Sequence, residues 1–537
     1  MIFIVNFIIC INLKNWKWSL NCMSKIIENF ALESPISVIT GKNRPDLTRE
    51  DMIKVILEKD IQRITFHYTA MDGKIKELKI PITNKRQAEL VLTEGERVDG
   101  SSLFKDIVDL GNSDLYVVPE YKTAFLNPFS NNSLDFVCRF LDPNGNLAEF
   151  TPDNILKRAS KILNKNSGYT LNAMGELEFY LISESSDRLY PLQKQQGYHA
   201  SPPFVKSGEL LDEMLLHLSH ITGNIKYAHH EVGCLEKIES DFEELNGKKA
   251  EQVEIEFLPT PVEDCGDIIV IARWIIRNIA YKHRNIATFV PKLEVGHAGN
   301  GMHIHLALMK NSKNIMTGNK GELSKQAKML IGGLCHYAPS LTSYGNMVSA
   351  SYLRLVPNQE APTKVCWSER NRSALIRVPL GWSNVSNLTK KINPQQKTEL
   401  GYQDSRQTVE FRSPDGSAFA HLLLAGLTLA TDWGLTHEKE SLSKAKHNYV
   451  SSNIHSSSSY STLNEIAISC AESAEILLNH RSDYEKDGIF PPKVITYIAK
   501  LLQNENDKSL NQRLLALADD EKLKESRRIM HKRIHTH

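Results

Sequence analysis

The sequence predicts an α+β protein of two domains, the second of which carries the chemistry. The chain has 537 residues, more than one hydrophobic core usually supports, so two domains are expected. Up to about residue 145, a helix pattern is followed by short strands with glycine and proline between them. Beyond that point, long helical patterns alternate with four strands that carry ionisable side chains on one face. We therefore place a small domain at 40–145 and a large one at 146–537, with a helical C-terminal region.

Helix-start and turn signals define the first domain. Residues 48–51 have the capping-box pattern in front of an apolar helical run. Residues 64–68 alternate between apolar and polar side chains, and an Asp-Gly turn separates them from a second strand at 74–80. These signals predict a helix followed by a β-hairpin.

The second domain contains the long helical patterns. Four helices are predicted, at 153–164, 206–222, 265–284 and 322–338. The last hundred residues are also expected to be helical. They end in a basic stretch, 527–537, which we expect to be a frayed and solvated terminus.

Composition limits the partners and the compartment. Sixty-four basic residues against 63 acidic residues leave a net charge of +1, which gives no reason to expect a nucleic-acid or membrane partner. The eight cysteines contain no C-x-x-C pair, so we expect neither a zinc ribbon nor disulfides, and a cytoplasmic location. Residues 1–13 are apolar but lack the basic start and cleavage site of a signal peptide. We therefore interpret 1–22 as a non-native extension before Met23.

Four short segments place two ionisable side chains two residues apart. Residues i and i+2 share a face of a strand, so each segment predicts a strand with one polar and one apolar face. Carboxylates gathered on one concave wall need positive charge among them, and divalent metal supplies it economically. Glutamates with histidines and no thiolates favour Mg²⁺ or Mn²⁺. The pairs are Glu176 with Glu178, Glu254 with Glu256, His303 with His305, and Glu410 with Arg412.

Several arginines suggest what such a two-metal site does. Arg372, Arg377 and Arg412 lie near the acidic wall in sequence, and Arg354 adds a fourth guanidinium group. Arginines bind phosphate bidentately and neutralise the charge of a transferred phosphoryl group. The sequence has no Walker A loop and no G-x-G-x-x-G motif. Nucleotide phosphoryl transfer without a P-loop or Rossmann fold is therefore favoured.

Eight motifs in order resemble glutamine synthetase of the bacterial type I class. They extend over most of the chain, which makes the resemblance specific. The motifs are 98–103 (VDGSSL), 175–179 (GELEF), 229–232 (HHEV), 252–254 (QVE), 299–305 (GNGMHIH), 354–362 (RLVPNQEAP), 371–379 (NRSALIRVP) and 410–415 (EFRSPD).

The resemblance implies both a fold and an activity. The small domain would be β-grasp-like, and the catalytic domain would hold a curved antiparallel sheet lining the two-metal site. The activity would be ATP-dependent formation of L-glutamine from L-glutamate and ammonium through γ-glutamyl phosphate, releasing ADP and phosphate. Family members assemble into stacked rings, here expected to be a dodecamer, with active sites shared between subunits.

The resemblance also assigns roles to individual residues. Glu178, Glu231 and Glu254 would hold one metal, and Glu176, His303 and Glu410 the other. Gly299 and Arg354 would bind glutamate, and Arg412 would bind phosphate or the γ-glutamyl phosphate. His305, Arg372 and Arg377 would bind the nucleotide, with Arg372 also catalytic. Asp99, from the adjacent subunit, would bind ammonium and take its proton, and Glu360 would close over the site.

Departures from the family pattern leave two alternatives open. An insertion at 233–251 separates Glu231 from Glu254, Ala298 replaces a common asparagine, and Lys226 stands where a glutamate is common. Glu256 is not needed by the family pattern, so we expect it to have a surface or supporting role. One alternative is a ligase that joins glutamate to a polyamine or another amine. The other is a catalytically silent, ring-forming relative.

Overall fold

The computed structural model describes residues 30–184, 189–356, 362–381, 387–401, 404–454 and 460–536. The predicted extension at 1–22 and Glu360 lie outside the described residues. In its N-terminal part the chain forms four helices and six strands in these ranges. They are α1 (Pro35–Thr40), α2 (Arg49–Glu58), β1 (Arg63–Thr69), β2 (Ile75–Pro81), α3 (Lys85–Glu94), β3 (Glu96–Asp99), α4 (Gly100–Leu103), β4 (Asp114–Pro119), β5 (Phe125–Leu126) and β6 (Ser133–Leu141).

The remaining elements surround a second, larger sheet. Its strands and helices are α5 (Pro152–Ser167), β7 (Thr170–Ser183), α6 (Gly208–Thr222), β8 (Ile225–Leu235), β9 (Lys249–Phe257), β10 (Thr260–Pro261), α7 (Val262–Lys282), β11 (Ile286–Thr288), β12 (Met302–Lys310), β13 (Lys313–Asn314), α8 (Lys325–Gly345), α9 (Ser351–Arg354), β14 (Trp367–Glu369), β15 (Ile376–Val378), β16 (Val409–Phe411), α10 (Ala420–Thr436), α11 (Glu438–His447), α12 (Cys470–Asn479), α13 (Arg481–Glu485), α14 (Pro492–Gln503), α15 (Leu510–Leu515) and α16 (Asp519–His531).

The small sheet confirms the local predictions for the first domain. Thr48 and Asp51 form the capping box that starts α2. β1 and β2 pair antiparallel as the predicted hairpin, and β1 also pairs in parallel with β6. The strand order is β2-β1-β6-β4-β3, with β5 added at β6. The sheet is therefore mixed.

The large sheet contains all four polar-faced strands as neighbours. Its order is β14-β15-β16-β12-β7-β9-β8, and its pairs are antiparallel except for β14 with β15. The side chains between the ionisable residues face a core: Leu177, Ile255 and Ile304 are fully buried. The α7 residue Ile269 packs there, 3.3 Å from where a Cβ on Gly175 would lie. The prediction that these strands form one wall with an apolar back is confirmed.

The C-terminal region is helical, but its end is not frayed. Met530, His531 and Ile534 are at most 3% exposed. The expectation of a solvated tail is therefore wrong, because apolar side chains interleaved with the basic ones pack onto the large sheet. Among the described helices, none is both long enough and apolar enough to cross a membrane.

Candidate active site

The strand register brings the predicted acids and histidines face to face. Glu176 lies opposite Glu256 on one neighbouring strand and opposite His303 on the other. Glu178 pairs with Glu254, and His305 pairs with Glu410. Directly opposed residues have Cβ atoms about 4.5–5.5 Å apart. The i, i+2 spacing seen in the sequence therefore becomes a two-dimensional array of metal-ligand side chains.

Glu176, His303 and Glu410 form one group with the geometry of a metal site. Their candidate ligand atoms all lie within 4.8 Å of one another. The Nδ1 atom of His303 is 2.8 Å from Glu176 Oε2 and 3.6 Å from Glu410 Oε1. Two carboxylates and an imidazole are a donor set that Mn²⁺ or Mg²⁺ accepts. These are the three residues predicted to hold one of the metals.

His305 is held firmly beside this group. Its Nε2 atom is 2.8 Å from Glu176 Oε1, and its Nδ1 atom is 2.8 Å from the hydroxyl of Thr408. Burial alone would lower the pKa of His305, but the adjacent Glu176 carboxylate outweighs it, and the pKa is raised. The imidazole therefore carries positive charge more readily than an ordinary histidine and partly balances the acidic wall.

A second group consists of His229, Glu231 and Glu254, whose candidate ligand atoms also lie within 4.8 Å of one another. Burial, followed by repulsion from Glu178 and Glu254, raises the pKa of Glu231 to about 8. Burial and the charges of Glu176 and Glu178 likewise raise the pKa of Glu254 well above its ordinary value. Carboxylates held together at such a cost fit a divalent cation, which removes the repulsion. Glu178 thus lies beside the two acids predicted to share a metal with it, and His229 joins them.

Arginines occupy the Glu410 end of the wall. Arg377 donates from Nη1 to Glu410 Oε2 at 2.7 Å, and Arg412 donates from Nε to Oε1 at 3.0 Å. Arg412 also donates to the backbone carbonyl of Arg372, which ties the 371–379 segment to the sheet. Within the described structure, the buried Nε atom of Arg377 has no hydrogen-bond partner. A partly buried guanidinium with a spare donor fits a phosphate ligand.

Two cavities meet at this wall. The larger has a volume of about 990 Å³. It is lined by Glu176 and His303 of the first group, by all three residues of the second group, and by Arg372, Arg377 and Arg406. The smaller, of about 230 Å³, is lined by Arg354, Gly299 and Lys292. Glu178, His303 and Arg412 line both cavities. The larger volume suits a nucleoside triphosphate and the smaller suits an amino acid, with the ionisable wall between them.

The smaller cavity is built around Arg354 and the loop before β12. Arg354 is buried and donates from Nη1 to the carbonyl of Ser413 at 2.9 Å. Gly299 leaves no room for a side chain, because a Cβ there would lie 2.5 Å from the carbonyl oxygen of Pro291. The Gln252 amide holds this loop by donating to Gly299 O and Asn300 Oδ1, both at 3.0 Å. At Ala298, where the family commonly has asparagine, the backbone carbonyl accepts a hydrogen bond from Tyr180 at 2.8 Å.

Asp99 stands apart from both cavities. It is exposed at the N-terminus of α4, and its carboxylate accepts hydrogen bonds from Ser101 and Ser102. These hydrogen bonds, that from Ser102 first, lower the pKa of Asp99 to about 2. Asp99 is thus an anion that this chain does not direct into its own wall. Glu360, the predicted lid residue, is not among the described residues.

Some contacts at the site could not be predicted from the sequence. Glu256 is 2% exposed and pairs with Lys226 at 2.6 Å, so it supports the wall and is not a surface residue. Thr408 orients His305, and Gln252 links Glu178 to the loop of Gly299. Of Thr408 and Gln252, only Gln252 carries a signal in the sequence, since it belongs to a recognised motif.

Comparisons with known proteins agree with this geometry. The family model "Glutamine synthetase, beta-Grasp domain" matches residues 60–143, and "Glutamine synthetase, catalytic domain" matches 149–513. A glutamine synthetase of Pyrococcus horikoshii is 31% identical over 392 residues, covering 73% of this chain and 78% of the relative. One of Frankia alni is 29% identical over 416 residues, covering 70% and 80%. The cryo-electron-microscopy structure of Plasmodium falciparum glutamine synthetase covers 88% of this chain and 98% of its own, with a TM-score of 0.67 at 21% identity. Since the two family models together match most of its length, the chain belongs to the glutamine synthetase family.

Proposed function

We propose that this protein is an ATP-dependent glutamate–ammonia ligase that forms L-glutamine through γ-glutamyl phosphate. The observation that carries the proposal is the meeting of a nucleotide-sized cavity and an amino-acid-sized cavity at a wall of metal-ligand side chains. A carboxylate is a poor electrophile, so its oxygen must first be phosphorylated. Juxtaposed cavities allow this because they bring the γ-phosphate and the γ-carboxylate together.

The first step would be attack of a γ-carboxylate oxygen of glutamate on the γ-phosphorus of ATP, with ADP as the leaving group. Arg354 would hold the substrate carboxylate, while Arg372 and Arg377 would hold the phosphates. Arg412, which lines both cavities, would neutralise charge on the phosphoryl group in transit. Two divalent cations, Mg²⁺ or Mn²⁺, would supply further neutralisation of phosphate oxygens when bound at the two groups.

The second step would be attack of ammonia on the acyl carbon of γ-glutamyl phosphate, with phosphate as the leaving group. Asp99, whose low pKa keeps it an anion, would bind ammonium as the cation. We also assign to Asp99 the proton that ammonium loses before it attacks. By the family resemblance, Glu360 would limit the entry of water, which would hydrolyse the intermediate. Its position lies outside the described residues.

The exposure of Asp99, away from the cavities of its own chain, supports the proposal that each site is completed by a neighbouring subunit. We propose the stacked-ring assembly of the bacterial type I class, as a dodecamer. A cytoplasmic location is also part of the proposal. The six cysteines in the described ranges are buried and unpaired, which suits a reducing compartment.

The experiment that tests this function is ATP turnover by the purified protein with glutamate and Mg²⁺ or Mn²⁺, comparing ammonium with putrescine and methylamine. Products are identified by mass spectrometry. We expect glutamine from ammonium, and no turnover in the Asp99→Ala variant. A γ-glutamylated amine as the only product would assign the chain to the amine ligases instead. An assembled, metal-binding protein with no turnover on any amine would identify a silent relative.

A further inference from the structure

A second hydrophobic core lies behind the smaller cavity. It joins the insertion, through Leu235, Ile238 and Leu245, to Leu293 and to Ile534 near the C-terminus. Each of these side chains is at most 3% exposed. The tail and the insertion are thus packed together against the loop 291–299, whose last residue, Gly299, lines the smaller cavity.

Arg527 ties the three segments together with charge. Its Nε atom donates to Glu294 Oε2 at 2.8 Å, and its Nη1 atom is 2.6 Å from Glu239 Oε2 in the insertion. Glu294 is only 6% exposed, and its other oxygen accepts from the backbone N–H of Val295 at 2.8 Å. The Glu294 carboxylate therefore fixes the backbone of its own loop while Arg527 fixes the carboxylate.

His531 makes a second link of the same kind. Its Nε2 atom donates to the Leu293 carbonyl at 3.0 Å, and its Nδ1 atom accepts from the Ser240 hydroxyl at 2.9 Å. The ring is 1% exposed, and burial lowers its pKa. Both nitrogens are satisfied in the neutral tautomer, so the imidazole bridges the insertion and the loop without a buried charge.

The second hydrophobic core supports both the loop 291–299 and Arg354. The loop continues from Leu293 to Gly299, which lines the smaller cavity. Val348 and Ala350 belong to the same core and lead into α9, which ends at Arg354. Movement of the core would therefore shift both groups predicted to bind the amino acid, while the larger cavity rests mainly on the sheet.

We propose that the insertion and the C-terminal tail form a clamp that sets the geometry of the amino-acid pocket, with Arg527 as its positioning residue. The clamp comprises residues 235–248 and 527–536. It rests on the proposed function for the identity of the substrate, and it assigns a role to the segment by which this chain departs from the family pattern. Arg527 acts through Glu294 and does not touch the substrate.

The test compares Arg527→Gln with Arg528→Gln, a matched control on the same helix whose side chain is 68% exposed. We expect Arg527→Gln to raise the KM for glutamate about 3- to 10-fold, with kcat and the KM for ATP nearly unchanged. Hydrogen exchange of the backbone amides at 292–299 should quicken by a similar factor. Arg527→Lys keeps the positive charge but cannot contact both carboxylates at once. Its KM for glutamate and its loop exchange should therefore lie between those of wild type and Arg527→Gln.

A second variant and two contradicting results complete the test. Should Arg527→Gln fail to fold, Ser240→Ala removes the hydrogen bond to His531 and is measured in the same way. The clamp would be overturned if the variant matched Arg528→Gln in both the hydrogen exchange of the loop and the KM for glutamate. It would also be overturned if all kinetic constants worsened equally and hydrogen exchange of the loop did not quicken. The exchange measurement needs no turnover, so it stands even if the wild-type protein makes no glutamine.

Discussion

The carboxylates of Glu178, Glu231 and Glu254 show how single residues prepare the site for a cation. Without one, burial and mutual repulsion raise the pKa of Glu231 to about 8 and that of Glu254 well above its ordinary value. The folded chain therefore holds protons that the unfolded chain would release above pH 4.5. A divalent cation held by these carboxylates would replace those protons and remove the repulsion.

This arrangement predicts a pH-dependent stability in the metal-free protein. A carboxylate whose pKa is higher in the folded protein than in the unfolded chain destabilises the fold when it ionises. The melting temperature should therefore fall as pH rises from about 4.5 towards 8. Mn²⁺ or Mg²⁺ should raise the melting temperature more at pH 8 than at pH 6. Differential scanning fluorimetry with and without EDTA measures both effects. Glu231→Gln should flatten the metal-free slope, and an unchanged slope would contradict this origin.

The proposed function makes Arg354 the residue on which amino-acid binding should depend most. Loss of a buried, charge-assisted contact costs about 1.5–3 kcal/mol, so Arg354→Gln should lower kcat/KM for glutamate about 10- to 100-fold. The KM for ATP should change little, because Arg354 lines only the smaller cavity among those described. Steady-state kinetics with each substrate varied separately measure the split. A rise in the KM for ATP alone would contradict the assignment of the cavities.

At the scale of elements, the sequence predicts the catalytic wall well. Period-two alternation identifies each strand, because one apolar face must be buried while the other carries ligands. Helix starts such as that of α2 follow from local capping chemistry. The sequence therefore predicts the hairpin and three of the four helices to within three residues at each end, whereas α8 continues to Gly345, seven residues beyond its predicted end.

Long-range packing explains what local patterns could not provide. The bond between His531 and Leu293 joins residues 238 positions apart. Lys226 neutralises Glu256 across the β8–β9 pair, although each residue alone resembles an ordinary surface charge. The burial of the basic tail was missed for the same reason: its apolar positions find partners only once the insertion has folded beside them.

The apolar back of the wall leads to a prediction about stability. Ile304 is fully buried between the histidines of β12. Ile304→Ala should therefore cost about 2–5 kcal/mol of unfolding free energy, and Ile304→Val about 0.5–1.5 kcal/mol. Urea unfolding followed by circular dichroism measures the difference. Equal midpoints for the alanine variant and wild type would show that this face is not the core of the sheet.

At the scale of the whole molecule, the proposed sharing of active sites between subunits predicts complementation between impaired subunits. Asp99→Ala should abolish activity, and Arg354→Gln should lower it about 10- to 100-fold at limiting glutamate. Oligomers reassembled from equal amounts of both should regain activity at about a quarter of their sites if Asp99 comes from a neighbouring subunit. Arg354→Gln mixed with Arg377→Gln is the control, since one chain supplies both arginines and no activity should return. Failure of the first mixture would place Asp99 in its own chain's site.

The central claim is that glutamate is phosphorylated at the junction of two cavities and then aminated. The most direct measurement follows oxygen-18 from the γ-carboxylate of labelled glutamate during turnover with ATP and ammonium. One labelled oxygen should appear in the released phosphate and one should remain in glutamine, because the bridging oxygen of γ-glutamyl phosphate leaves with the phosphate. Phosphate free of label, or a labelled product other than glutamine, would contradict the account.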